Sequence, residues 1–592
     1  MKKIYFLLCV ALILSLMLCA CGGEVTETGT SDTTAATTAV TEPAVASIDV
    51  VRDGKVICNV IRDEDADTAA LVVSQARSVI DTVKQLTGAM PKLGTDWVKR
   101  GESLDSESYE ILVGMTDYPE TRQVMESLKY GECAVRLVGN KIVVFGYTDT
   151  TMSVAVKHLT QVLEKSVDAE KKNITVTAQD LEYTKSMDEQ MNALPKYEDG
   201  AFRSYYKAGN KVNEFIIGET TPDEYRAYLK KLEAEGFTCY TTHQITDNLF
   251  ATYTNDQYTV TVGYYDYETS VRILIEPLAP AVGLESENVY TPVTTSQITM
   301  LGMEYVGSDG TYHSNGLSVL IRLTDGRFIV IDGGFNRTKH STELMRHLRE
   351  QSADYVKSTK DITIAAWIIT HPHGDHDGLL YGRYSDFKGI KVERVLANFL
   401  SDTELTKADN SSAVGENWSS GEGFEYQKVM TAAQELGATV YQVHVGQVFY
   451  FADLKMEVLY TMESFGPKVC NALNTTSIVL RMEFGGETVY MSTGDATGNG
   501  MEICTKMFGS YMQSDIVQVC HHGYTTWGNN NGMIKAYEAI NAPTVLWPQG
   551  LNAYPNFKDA SYNAVLFTVP NYQEVYVSGA EGDSTFRVRE DS

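Results

Sequence analysis

An apolar run from Ile362 to Ile369, with only Thr363 polar, is followed at once by Thr370-His-Pro-His-Gly-Asp-His-Asp-Gly378. The run reads as a strand buried on both faces, as in an α/β layer. Leu379 onwards can begin a helix, so the polar loop sits at the C-terminal end of a strand, the usual place for ligands in such sheets. Pro372 and Gly374 keep the loop out of helix. In an extended loop alternate side chains share a side, so His371, His373 and Asp375 converge, and His376 adds a fourth donor. Imidazole and carboxylate together form a borderline ligand set that suits Zn²⁺ and tolerates Mn²⁺ or Fe. Only 11 of the 592 residues are histidine. Five of them fall in this loop and in His521-His522, a concentration that a solvated His-rich turn does not account for.

The surrounding segments supply the rest of a pattern. Leu317 to Leu323, Asp325-Gly326 and Phe328-Ile-Val-Ile-Asp-Gly-Gly334 form a hairpin signature. Val489-Tyr-Met-Ser-Thr-Gly-Asp495 ends a second apolar strand, and Asp515 to Val519 leads into Cys520-His521-His522-Gly523. From near Gly316 to at least Trp547 the chain resembles the metallo-β-lactamase-fold hydrolases. The resemblance implies an α/β architecture: a C-terminal αββα sandwich, residues 292–592. It also implies a pair of divalent metal ions, Zn with Mn or Fe as alternatives. One would take His371, His373 and Asp495, the other Asp375, His376, Asp495 and one of His521 or His522. Asp332 would brace the histidine loop from behind.

Most members place a further histidine before the strand leading to Gly-Asp. Here the stretch is Asn471-Ala-Leu-Asn-Thr-Thr-Ser477, and Asn474 takes that position. His444 is the only histidine between His376 and Asp495, and it fits a strand elsewhere. This combination resembles the hydrolase domain of competence-type DNA-uptake proteins and the choline-phosphate esterases of teichoic acid. By analogy with the esterases His522 is taken as the ligand and His521 as a catalytic group facing substrate; the reverse assignment stays open. The resemblance implies a metal-bridged hydroxide that attacks phosphorus or carbonyl carbon, with Asp375 both ligating and orienting it. The expected activity is hydrolysis of phosphoesters, phosphodiesters above all. Lactam, lactone or amide hydrolysis by the same fold is the alternative, and a non-catalytic glycan- or peptide-binding surface protein is the third. Asn336, Arg337, Lys339 and His340 are read either as contacts to an anionic substrate or as a solvated basic turn.

The N-terminus reads as an address. Met1-Lys2-Lys3, an apolar stretch to Leu18 and Leu18-Cys19-Ala20-Cys21 resemble a bacterial lipoprotein signal, residues 1–20, with Cys21 lipidated. The stretch is too short to span a bilayer. Residues 21–46, rich in Thr and Ala, lack the large apolar side chains a core needs and read as a tether. The expected location is therefore the outer face of the cell membrane, with a small-molecule or cell-envelope polymer as substrate. A net charge of −28 argues against nucleic acid. The remaining cysteines show no CxxC and read as buried free thiols.

Two smaller regions precede the hydrolase-like one. Residues 47–184 read as a small α/β domain, with a hairpin at Asp53-Gly54, helices over Asp65 to Leu86 and Thr151 to Val167, and strands at Tyr109 to Gly114, Ala134 to Gly146 and Ile174 to Thr177. It faintly resembles the non-catalytic α/β domain ahead of some glycoside hydrolase barrels. Residues 186–280 read as an α+β module, with a capping box at Thr221-Pro-Asp-Glu224 and four strands from Thr238 to Ile275. Its tyrosines, Tyr205, Tyr206, Tyr264, Tyr265 and Tyr267, read first as alternating sheet positions and second as a glycan- or peptide-binding face.

Overall fold

The computed structural model describes residues 46–64, 70–209, 211–279, 289–308, 310–398, 426–466, 473–486, 488–550, 553–578 and 584–587. The signal segment, Cys21, the tether up to residue 45, Cys470 and the start of the helix expected from Asp65 lie outside them. Residues 47–592 form one compact unit. No helix among the described residues is long and apolar enough to cross a membrane.

Two sheets stack face to face in the C-terminal part. One runs Thr439–Gln442, Arg394–Ala397, Thr363–Ile368, Phe328–Asp332, Ser318–Arg322, Gln297–Met300, Ser584–Arg587, with Lys391–Val392 paired beside Thr363–Ile368. The other runs Val448–Phe451, Leu454–Tyr460, Val479–Phe484, Thr488–Ser492, Ile516–Gln518, Thr544–Trp547, Glu574–Val577. Alternating side chains of both, among them Val319, Ile331 and Ile368 from the first and Met456, Leu480 and Tyr490 from the second, share one core. Helices Thr338–Ser352, Gly378–Arg383 and Tyr426–Glu435 lie on the outer face of the first sheet. Helices Gly498–Phe508 and Asn530–Ile540 lie on the outer face of the second. The result is a four-layer αββα sandwich, the architecture the sequence led us to expect.

Each sheet is parallel at its centre. Phe328–Asp332 pairs in parallel with Thr363–Ile368, and Thr488–Ser492 with Ile516–Gln518. The turns after these strands therefore gather at one edge of the sandwich, and they carry the candidate site.

The preceding residues build three more sheets. Strands Ser47–Arg52, Lys55–Val56 and Ile174–Thr177 make a small antiparallel one. Its hairpin turns at Asp53 and Gly54, both with positive φ. A six-stranded mixed sheet packs on helices Ala70–Thr87 and Asp149–Ser166. A six-stranded antiparallel sheet, Ala201–Gly209 to Thr238–Ile245, carries helix Pro222–Ala234, whose capping box of Thr221 and Glu224 is formed. Its first two strands, Ala201–Gly209 and Val212–Gly218, were not marked by the sequence pattern. The two six-stranded sheets share a core in which Tyr130, Phe145 and Tyr147 meet Phe215, Tyr228 and Tyr264. Tyr264 and Tyr265 are core residues, as the first reading of the tyrosines has it, whereas Tyr205, Tyr206 and Tyr267 are half-buried beside a cleft.

The antiparallel sheet is also locked onto the sandwich. The buried Arg272 guanidinium pairs with Glu214 at 3.0 Å and donates to the carbonyls of Glu463 (2.7 Å) and Gly466 (3.2 Å). His444 lies past the end of Thr439–Gln442, buried between Glu463 (2.6 Å) and Glu276 (3.1 Å). Asn248 donates to the carbonyl of Met507. Cys58, Cys133, Cys504 and Cys520 are buried free thiols, but Cys239 is exposed.

Candidate metal centre

The histidine loop leaves Thr363–Ile368 and is held from beneath by Asp332, the last residue of its neighbouring strand. Asp332 accepts from the Thr370 backbone N–H, the Thr370 hydroxyl and His376 Nδ1, each at 2.8 Å. Its carbonyl accepts from the Trp367 indole. An Nδ1–H given to a carboxylate leaves His376 Nε2 as the lone-pair nitrogen, and that atom faces the centre.

Asp495 arrives from the other sheet, one residue after Gly494. Gly494 has φ +51, and a Cβ there would come 2.9 Å from Thr370 Cβ, so only glycine lets the two loops approach this closely. Gln518 braces the same turn, accepting from Thr493 N–H and donating to the Gly494 carbonyl. The Asp495 N–H donates to Ser477 Oγ at 3.2 Å. His522 follows Ile516–Gln518 in a turn where His521 and His522 both have positive φ. Its Nδ1–H donates to the Pro548 carbonyl (2.8 Å), while Trp547 Nε1–H donates to the His522 carbonyl. The His522 Nε2 lone pair therefore also faces inward.

The donors fall into two groups, His371, His373 and Asp495, and Asp375, His376 and His522, each with ligand atoms within 4.8 Å of one another. Asp495 Oδ2 lies between them, 3.7 Å from His371 Nε2, 3.1 Å from His376 Nε2 and 3.5 Å from His522 Nε2. His371 Nε2 is 2.9 Å from His373 Nδ1, and His376 Nε2 is 3.2 Å from His522 Nε2.

These residues fit a pair of cations. The Nε2 lone pairs of His376 and His522 meet at 3.2 Å, and two lone pairs that close need a cation or a proton between them. Asp495 Oδ1 is buried without a hydrogen-bond partner. Burial, then the neighbouring His376, holds His371 well below the usual imidazole range, and burial takes His373 down to about 4, so both are neutral bases. Burial opposes ionisation of Asp375 and Asp495, but His376 and His522 outweigh it and hold both well below the carboxylate range. Burial likewise opposes charge on His376 and His522. Asp495 above all outweighs it, raising His376 well above its usual value and His522 to about 9. Protons on these two rings thus occupy the role that a metal charge would fill.

His521 stands apart. Its Nδ1–H donates to the Thr525 carbonyl, and its ring lies half-exposed beside Trp527 and Tyr524. Asn474 is fully buried, and neither of its side-chain polar atoms has a hydrogen-bond partner. Arg337 lies over the Tyr305 ring at 4.3 Å and donates to its hydroxyl, and Lys339 donates to the Glu304 carbonyl. These two hold the hairpin Tyr305–Val306/Tyr312–His313, and His340 is buried on its helix.

One contributor escaped sequence reasoning. Asn315 donates from Nδ2 to Asp375 Oδ2 at 2.5 Å, while its backbone bridges to Gln549. Nothing in the local pattern marks it. Ser477, by contrast, closes the Asn-Thr-Thr-Ser run that the sequence singles out.

No family model matches the chain. It is 34% identical over 97 residues to ComE operon protein 3 of Bacillus subtilis, a match covering 16% of this chain and 12% of that protein. Among solved structures it is similar to a novel metallo hydrolase from the archaeon Ignicoccus hospitalis, with 12% identity, a TM-score of 0.27, and 50% and 100% of the two chains covered. It is also similar to a possible metal-dependent hydrolase from Veillonella parvula, with 11% identity, a TM-score of 0.27 and the same coverage. The layer order is that of the metallo-β-lactamase fold.

Proposed function

We propose that the chain is a surface-anchored, metal-dependent hydrolase acting on phosphoester bonds, phosphodiesters in particular. The observation that carries the hydrolase reading is Asp495 Oδ2 lying between two donor groups of otherwise separate residues. His371, His373 and Asp495 would hold one divalent ion, and Asp375, His376, Asp495 and His522 the other, with Zn²⁺ best suited and Mn²⁺ or Fe tolerated. When bound, such ions supply Lewis acidity, making water a nucleophile at neutral pH and neutralising charge on the bond under attack.

The chain's own groups do the rest. Asp332 and the Pro548 carbonyl fix the tautomers of His376 and His522. Asn315 fixes the direction of the Asp375 carboxylate, which can then orient an attacking water. His521 is half-exposed; with its Nδ1–H on the Thr525 carbonyl, its Nε2 accepts in the neutral ring and can donate to a phosphoryl oxygen or a leaving group only in the imidazolium form. Support for phosphorus over carbonyl carbon comes from Asn474 in place of a histidine and from the two branches the sequence resembles. Anchoring through Cys21 would present this centre to envelope polymers outside the cell.

The test is hydrolysis of bis(p-nitrophenyl) phosphate by the full chain with added Zn²⁺ or Mn²⁺, beside an Asp495→Ala variant. Turnover by the wild type alone supports the reading. A wild type that binds metal and hydrolyses a lactam, lactone or amide but no phosphodiester refutes the choice of bond.

A further inference from the structure

The two donor groups of the metal centre are unequal. Asp375, His376 and His522, with Asp495 at 3.1 Å from His376 and 3.5 Å from His522, offer one ion two imidazole nitrogens and two carboxylate oxygens. That is a complete four-donor set. His371 and His373 with Asp495 offer the other ion three donors, one fewer.

The turn Leu473–Thr476 and the residues after it close on the smaller group from both sides. Ile478 N–H donates to the carbonyl of Thr370, the residue before His371, and Ser477 Oγ accepts from Asp495 N–H. A Cβ on Gly494 would come 2.9 Å from Thr370 Cβ and 3.4 Å from Ser477 Cβ, so three backbones meet here. Asn474 belongs to this turn, its carbonyl accepting from Ser477 N–H. The turn is thus fastened to the arm that carries His371 and to the arm that carries Asp495.

The Asn474 side chain is fully buried, and neither its Oδ1 nor its Nδ2 has a hydrogen-bond partner. Burying an amide with no hydrogen bond made is costly, and native proteins seldom do so without an ion, a water or a functional reason. Asp495 Oδ1 is buried and unpartnered in the same way. A cation beside His371 and His373 accounts for both. An amide oxygen is a neutral donor of the kind that divalent cations accept alongside carboxylate.

We propose that Asn474 Oδ1 is the fourth ligand of the ion held by His371, His373 and Asp495. Both ions are then held by two imidazole nitrogens and two oxygens. The inference rests on the dinuclear reading and adds a ligand to it. Because an amide brings no charge, this ion faces one carboxylate where the other faces two, and it is the more weakly held.

The experiment strips the full chain in EDTA and titrates it with Zn²⁺ alone against a chromogenic chelator at pH 7.5. Anomalous diffraction at the zinc edge assigns each change in affinity to a position. The wild type is expected to bind two ions, the one beside His371 and His373 more weakly. Losing a partner that stands only behind a ligand costs about 10–100-fold, so Asn474→Leu should weaken this ion by at least about tenfold and leave the other within about threefold. Asn474→Asp keeps the oxygen and adds charge, so it should hold the ion at least as tightly as the wild type. Leucine has about the volume of asparagine and removes an unpaired buried amide, so the metal-free Tm should not fall. If Asn474→Leu does not fold, Asn474→Asp decides, and weaker binding beside His371 in that variant overturns the proposal. A lower metal-free Tm with equal losses at both ions is the mark of a structural residue and overturns it too. Two ions in the wild type, both unchanged in Asn474→Leu, overturn the ligand alone, whereas a wild type that binds fewer than two ions overturns the dinuclear reading with it.

Discussion

Asp332→Asn isolates what the buried carboxylate does for the metal centre. Asp332 has φ +57, a left-handed conformation in which asparagine is one of the few tolerated residues, so the backbone is left alone. The carboxylate accepts three hydrogen bonds at 2.8 Å: two from Thr370 and one from His376 Nδ1. An amide has one oxygen. If it keeps the Thr370 N–H, its NH₂ faces His376 Nδ1 and donates to it, and the imidazole proton moves to Nε2. That nitrogen lies 3.1 Å from Asp495 and 3.2 Å from His522, and once protonated it is no longer a ligand. If the amide flips, its NH₂ meets the Thr370 N–H, donor against donor. Losing such a partner behind a ligand costs about 10–100-fold in metal affinity, or about 1.4–2.7 kcal/mol. Competition with a chromogenic chelator at pH 7.5 measures this for each ion. The ion held by His376 should weaken by that factor, and the one held by His371 and His373 by less. Unchanged affinity for both would refute the claim that Asp332 sets the tautomer of His376.

Arg272→Met leaves Glu214 buried and unpaired and should destabilise the chain by about 3–5 kcal/mol at pH 8. Burial raises Glu214 to about 7 even beside Arg272, so the native state takes up a proton above the carboxylate's usual range and this contribution falls as pH rises toward 7. Without Arg272 the fall extends to higher pH. Urea unfolding should therefore show a smaller loss at pH 5.5 than at pH 8, and an equal loss at both would contradict the assignment. Asn315→Ala frees the Asp375 carboxylate and should lower phosphodiester turnover about tenfold with little change in Tm; a variant as active as wild type would exclude a positioning role. Gly523→Ala should be among the most damaging small substitutions, because φ is +82 and the new Cβ would lie 2.2 Å from the Trp547 ring that holds His522. Thermal unfolding and zinc affinity should both fall, and a neutral result would mean that the turn is not held as described.

The histidine loop was legible because a fully buried strand delivers it and four donors lie within six residues, but the alternation expected of an extended loop does not hold: the His376 and Asp377 N–H groups donate to the His373 carbonyl, and this turn puts Asp375 with His376 and His522, apart from His371 and His373. Asp495 was legible only through its Gly-Asp strand end, and His521 and His522 could not be told apart from the residues alone. Both adopt positive φ, so neither strand nor helix periodicity says which ring faces inward. Asn315 was hidden for a different reason: its bond to Asp375 spans 60 residues and has no local signature. The strands Ala201–Gly209 and Val212–Gly218 were missed because polar residues break their pattern. Glu214 is fully buried in Val212–Gly218 since Arg272 neutralises it from the neighbouring strand, a tertiary partner that overrides the apolar alternation. His444 was placed on a strand because apolar residues flank it. Instead it sits in a buried loop, charged between two glutamates from different parts of the chain.

The central claim is a dinuclear centre joined by Asp495. Anomalous diffraction at the zinc edge from crystals of the zinc-loaded chain tests it most directly. The account predicts two peaks, one contacting His371 and His373, the other Asp375, His376 and His522, and both contacting Asp495. A single peak, or two peaks of which only one touches Asp495, would contradict it.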